Sequence, residues 1–225
     1  MKDLKAIKGR YLIQRLIDQG EHEQQDFKFA ISDARKIARS VSAFANNSGG
    51  CLLIGVKDNG TVAGVRNEED VYVVEQAAQM YCDPPQPISF DAFKVEPGVI
   101  VIRATVPRAD RRPVRVLEAD GRKRAYYRVA DENIVAHPLM VRAWMLRDAA
   151  ADSHAPLLID DMAGDILTAI RTADGPVDPE TLPLTVHRSK AATNSLVARL
   201  ISLGLIDIVF VNHSFRLVAP DDFSS

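Results

Sequence analysis

Between residues 103 and 128 the chain gathers Arg103, Arg108, Arg111, Arg112, Arg115, Arg122, Lys123, Arg124 and Arg128. Only Asp110, Glu118 and Asp120 oppose them, so this stretch carries a net charge of +6 within a chain whose formal net charge is −2. Guanidinium groups pair with phosphate oxygens through two hydrogen bonds at once. A strand over residues 122–129 sets Arg124, Tyr126 and Arg128 on one outward face, with Ala125, Tyr127 and Val129 turned inward. An aromatic ring interleaved with cations suits stacking on bases and contact with phosphates, the chemistry of nucleic-acid binding. The same side chains would equally make an ordinary solvated face, salt-bridged to acidic neighbours.

A second set of polar residues lies near the C-terminus. His187, Arg188 and Lys190 open a helical segment that presents Asn194 and Arg199 opposite its apolar stripe. A recognition helix uses such residues against phosphates and base edges. Asp207, Asp221 and Asp222 follow closely, and helices of this kind also serve in dimerisation.

Other chemistries find little support. The histidines at 22, 137, 154, 187 and 213 have no zinc-like spacing. Cys51 and Cys82 sit in apolar settings and read as buried thiols, with no disulfide scaffold. No Gly-x-Ser-x-Gly elbow is present. Residues 55–60 have the first spacing of a phosphate loop, but Thr61 follows Gly60 directly and no Lys-Ser/Thr opens a helix, so ATP is not expected.

The elements that must position these residues follow from periodicity. Helices are predicted over 4–18, 33–46 (capped by Ser32 or Asp33), 68–81 and 136–150. Strands are predicted over 25–29, 51–56, 88–95, 99–106 and 122–129, with 61–65 pairing back on 51–56 as a hairpin. The small, polar stretch 149–156 places a boundary between a domain over 1–150 and one over 151–225. Beyond it, Ile159, Met162, Ile166, Leu167 and Ile170 give a helix, 178–184 a helical turn, and 188–203 a third helix ended by Gly204. Strands over 205–211 and 214–218 meet at Asn212 and His213. Three helices followed by a hairpin is the order of a winged helix-turn-helix.

The 225 residues are 47% apolar and 26% charged, ordinary globular usage. No apolar run is long enough to span a membrane. The opening MKDLKAIKGR lacks the apolar centre of a signal peptide, so a cytoplasmic location is expected.

Residues 21–65 carry a combination of motifs: Glu21, then Asp26-Phe27-Lys28, later Ser42-Ala43-Phe44-Ala45-Asn46, Gly49-Gly50, and Leu52-Leu53-Ile54-Gly55-Val56 before Asp58. With Tyr126-Tyr127-Arg128-Val129 as a closing strand, this resembles the Schlafen-AlbA family over roughly residues 15–145. The resemblance implies an α+β fold, a mixed sheet with helices. In Schlafen-type ribonucleases three carboxylates form the active site, and the matching positions are Glu21, Asp26 and Asp58. Such a set would hold Mg²⁺ or Mn²⁺ and activate water on a phosphodiester. Position 26 is Asp where the family has Glu, and an offset of five puts Glu21 and Asp26 on opposite faces of a regular strand. Those enzymes pair two lobes around RNA, so one lobe here implies a homodimer. Three readings stand together: a nucleic-acid-binding, regulator-like protein contacting its partner through Lys28, Arg112, Arg115, Arg124, Tyr126, Arg128, Arg188, Lys190 and Asn194; a metal-dependent endoribonuclease; and an oligomerisation module without nucleic acid.

Overall fold

Alternating apolar residues on the strand segments build a sheet buried on both faces. A computed structural model describes residues 4–29, 31–65, 69–151 and 161–220. In chain order the first part runs β1 (Ile7–Lys8), α1 (Arg10–Asp18), β2 (Gln25–Lys28), α2 (Ala34–Asn46), β3 (Gly50–Ile54), α3 (Glu69–Gln76) continued by a π-helical turn (Ala77–Tyr81), β4 (Cys82–Asp83), β5 (Ser89–Glu96), β6 (Val99–Val106), β7 (Arg115–Leu117), β8 (Lys123–Val129) and β9 (Glu132–Val135). The expected helix over 4–18 begins only at Arg10, because Ile7 and Lys8 pair in parallel with Phe93 and Lys94 of β5.

Five strands form one mixed sheet in the order β1-β5-β6-β3-β2, and four form an antiparallel sheet in the order β4-β7-β8-β9. On one face of the first sheet Phe27, Leu53, Phe93 and Val101 pack against Ile13 of α1. On the other, Leu52, Ile54, Ala92, Ile102 and Ala104 share a core with Ile37, Val41 and Phe44 of α2 and with Val114, Val116 and Tyr126 from the second sheet. Helix α2 is thus enclosed between sheets. Its first turn is capped by Asp33, which accepts from Arg35 N at 2.9 Å. Its last residues press on β3, where a Cβ on Gly50 would stand 2.3 Å from Phe44 Cδ1. The expected hairpin after β3 is reduced to a single bridge between Val56 and Val62. There Gly55 takes φ +97, the backbone an L side chain disfavours.

The chain divides into two units, Met1–Ala136 and His137–Ser225. The division falls before the expected boundary because α4 (Pro138–Ala151) packs on α7 (Lys190–Ser202). Residues 152–160, which hold most of the polar stretch and Ile159, lie outside the described residues. The second unit also contains α5 (Asp161–Arg171), α6 (Leu182–Thr185), β10 (Asp207–Val211) and β11 (Ser214–Val218). Asn212 and His213 join β10 to β11 with φ of +49 and +58, as a two-residue hairpin turn requires. No helix among the described residues is long and apolar enough to cross a membrane.

Candidate nucleic-acid interface

The side chains of α2 that point at the second sheet do so through hydrogen bonds. Asn46 Nδ2 donates to Val114 O and Tyr126 O, each at 2.9 Å, while its Oδ1 accepts from Val114 N at 2.8 Å. Ser42 Oγ donates to Val114 O and accepts from Tyr126 N. Asn47 exchanges two bonds with the backbone of Arg128. The Ser-Ala-Phe-Ala-Asn-Asn run is therefore a set of staples that registers β7 and β8 on the helix.

This stapling turns the β8 face with Tyr126 and Arg128 toward α2, not toward solvent as expected. Arg128 is 0% exposed. Its guanidinium donates to His22 O, Gln25 O and Asn133 Oδ1, stands 3.5 Å from Asp26 Oδ1, and lies 5.0 Å over the Phe44 ring. Tyr126 is buried, and its hydroxyl donates to Glu118 Oε1 at 2.5 Å. Burial first, then that bond, push the Tyr126 phenol up to about 12. Neither side chain is free to meet a ligand. Charge alone pointed Arg128 outward, but a buried arginine is tolerated when carbonyls satisfy its fork.

Below Arg128 lies a cleft of about 430 Å³. Asp26 is buried at its floor and is met by Lys28 Nζ at 2.8 Å and Ser40 Oγ at 3.3 Å. Lys36 and Arg39 stand on its rim with Asp131 and Glu132. Arg39 grips Glu118 with Nε at 3.0 Å and Nη2 at 2.7 Å. That grip holds the Glu118 carboxyl below its usual range, against the opposing effect of burial. Lys36, Arg39 and Ser40 escaped notice in the sequence. Their one signal is spacing, since 36, 39 and 40 fall on one face of a helix.

The three carboxylates are only partly assembled. Glu21 bends back to accept Phe27 N at 2.7 Å, which brings its carboxyl beside Asp26 despite the odd offset. Burial, and next the hydrogen bond with Asp26, push the Glu21 carboxyl above its usual range. Asp58 is exposed on the turn after β3 and does not join them. Among the described residues no group of three His, Cys, Asp or Glu side chains is placed to hold a metal ion. Asp26 is already engaged by two cations and a hydroxyl, so these residues do not suit Mg²⁺ or Mn²⁺, whose ligands are several free oxygens.

The mid-chain cations are partly answered. Arg103 pairs with Asp91 at 2.7 Å, Lys123 with Asp83 at 2.7 Å, and Arg124 with Asp120 at 2.6 Å. Arg112 Nη1 donates to Asn46 O, and Arg115 is half-buried on β7. Arg122 is 78% exposed and reaches only an Asp120 already held by Arg124. In the second unit Arg188 lies 3.9 Å from Asp165, Lys190 pairs with Glu180, and Asn194 is half-buried on α7.

Residues 21–137 match the family described as Schlafen, AlbA_2. No curated protein matches the chain. Among solved structures, the DIP2311 protein from Corynebacterium diphtheriae is similar at 20% identity and a TM-score of 0.43 over 88% of this chain. The chain spans about a third of that protein, 34% of its length.

Proposed function

The chain belongs to the Schlafen, AlbA_2 family, and we propose that it binds nucleic acid through phosphate contacts and works as a transcriptional-regulator-like protein. One observation carries the reading: acidic neighbours answer the cations of residues 103–128 only in part. Arg122 and Arg124 share the single carboxylate of Asp120, and the exposed Arg108 has no ion pair or hydrogen bond among the described residues. The pairs that do form at the surface are of a kind worth about 0–1 kcal/mol, so phosphates can displace them cheaply.

The second unit supports the same reading as a winged helix-turn-helix. Val177 bridges Leu217 of β11, so the order is helix, short strand, two helices and a hairpin. Helix α7 is capped by Ser189 and opens beside Arg188 and Lys190, the position from which a recognition helix meets phosphate. A homodimer supplying a second lobe belongs with this reading.

Fluorescence anisotropy with short RNA and DNA strands tests it. Binding should weaken steeply with salt, and reversing charge at Arg122 and Lys123 together should cut affinity at least tenfold. Absence of binding, or binding indifferent to salt, would leave an oligomerisation module.

A further inference from the structure

Helix α1 has nine residues, whereas β5 and β6 have eight each. At about 1.5 Å per helical residue and about 3.3 Å per strand residue, the helix covers roughly half the length of the sheet face beneath it. The face changes character where the helix stops. Under α1 it is Phe27, Leu53, Phe93 and Val101. Beyond it the same face presents Cys51 on β3 and Arg103 and Thr105 on β6.

The uncovered part is a cleft of about 390 Å³. Its floor is Cys51, Arg103 and Thr105, one wall is Leu16 and Gln24, and the other is the Ser48-Gly49-Gly50 turn facing Pro107 and Arg108. Among the described residues no carboxylate lines it, whereas the cleft below Arg128 has Asp26, Asp131 and Glu132. Arg103 is fixed from two sides, by Asp91 at 2.7 Å and by the Phe93 ring, 5.5 Å from its guanidinium carbon. Its charge reaches the floor. Burial raises the Cys51 thiol, and Arg103 opposes that rise. Arg108 is exposed at the rim. The turn lies hard against the strand end, because a Cβ on Gly49 would stand 2.9 Å from Val106 O. A rigid polar floor, two arginines and small backbone walls make a seat for a compact anion.

We propose that this cleft is a phosphate-binding subsite, in which Arg103 and Arg108 clasp one phosphodiester of a bound polynucleotide strand. The subsite deepens the nucleic-acid reading and rests on it for the source of the phosphate, which a free phosphate could also supply. Two measurements on the full chain separate these. In the first, the salt dependence of single-strand binding is compared between wild type, Arg108→Ala and Lys94→Ala, the last removing an exposed cation outside the cleft. Arg108→Ala should weaken binding about tenfold and flatten the log–log salt slope by about 0.7, the share of one phosphate on a single strand, while Lys94→Ala leaves the slope unchanged. Equal slopes for wild type and Arg108→Ala would overturn the subsite even if other charge reversals abolish binding. In the second, inorganic phosphate is titrated and backbone amide resonances are followed. Shifts centred on Gly49, Gly50 and Arg108, lost in Arg108→Ala, support the subsite even should no strand bind. That last combination would assign it to free phosphate and defeat the nucleic-acid reading alone. No shift at these amides would overturn the subsite.

Discussion

A guanidinium enclosed on every side is costly unless its donors are met. Arg128 meets that demand with two carbonyls, the Asn133 amide oxygen and the Asp26 carboxylate. Arg128→Ala removes one of the two cations beside buried Asp26 and leaves the carbonyls of His22 and Gln25 without their donor, and we expect a loss of about 3–5 kcal/mol in urea unfolding. Arg128→Lys should recover only part of it, because an ammonium cannot reproduce the planar fork. Glu118 makes a prediction of opposite chemical sense. Arg39, through its hydrogen bonds, holds the folded carboxyl of Glu118 below the value of a free glutamate. A depressed carboxylate stabilises the fold above its unfolded pKa, and that contribution fades as pH falls through the lowered folded value. Glu118→Gln should therefore be less stable at pH 7, with a shallower decline in Tm below about pH 4.5. At this scale the sequence was only half legible. The Asp-Phe-Lys triplet and the Tyr-Tyr-Arg-Val run are visible in the sequence, but charge by itself predicts exposure. Asp26, Tyr126 and Arg128 are buried because their polar ends find partners elsewhere in the fold, 106 and 103 residues away in the chain where Arg128 meets His22 and Gln25. Nothing in local spacing reports such pairings.

At the scale of elements, the family's most recognisable stretch is explained by α2. Its apolar residues fill the core between the sheets, and its Ser42, Asn46 and Asn47 side chains hold the second sheet in register. Asn46→Ala would leave Val114 N and Tyr126 O buried without their partners. We expect a cost of about 3 kcal/mol, with faster amide exchange along β7 and β8 than along β5 and β6. Gly50→Ala forces a methyl group into the Phe44 ring and should cost about 1–3 kcal/mol by thermal unfolding, more than the same change at Gly164, where a Cβ meets nothing within 4 Å and the backbone is not left-handed. Periodicity located α2, β3, β5, β6 and β8 closely, because each has one apolar stripe or alternation long enough to count. It placed α1 too early, since the pairing of two residues in β1 leaves no periodic trace.

For the whole molecule, a chain of net charge −2 keeps an uneven surface. The acids that answer the mid-chain cations come from β4, β5 and the 118–121 turn, and they leave Arg108 and Arg122 in surplus. The composition made that surplus visible, while only the fold reveals which arginines are spent on structure. The change of pattern in the sequence lies near residues 149–156, whereas the chain divides after Ala136, with α4 in the second unit through its packing on α7, which no local signal announces. The most direct test of the account is the affinity of the full chain for a short nucleic-acid strand, measured from about 50 to 200 mM salt. Phosphate contact predicts a straight log–log line whose slope counts the contacts, flattening when exposed arginines are removed. A flat line, or no binding at the lowest salt, would contradict it.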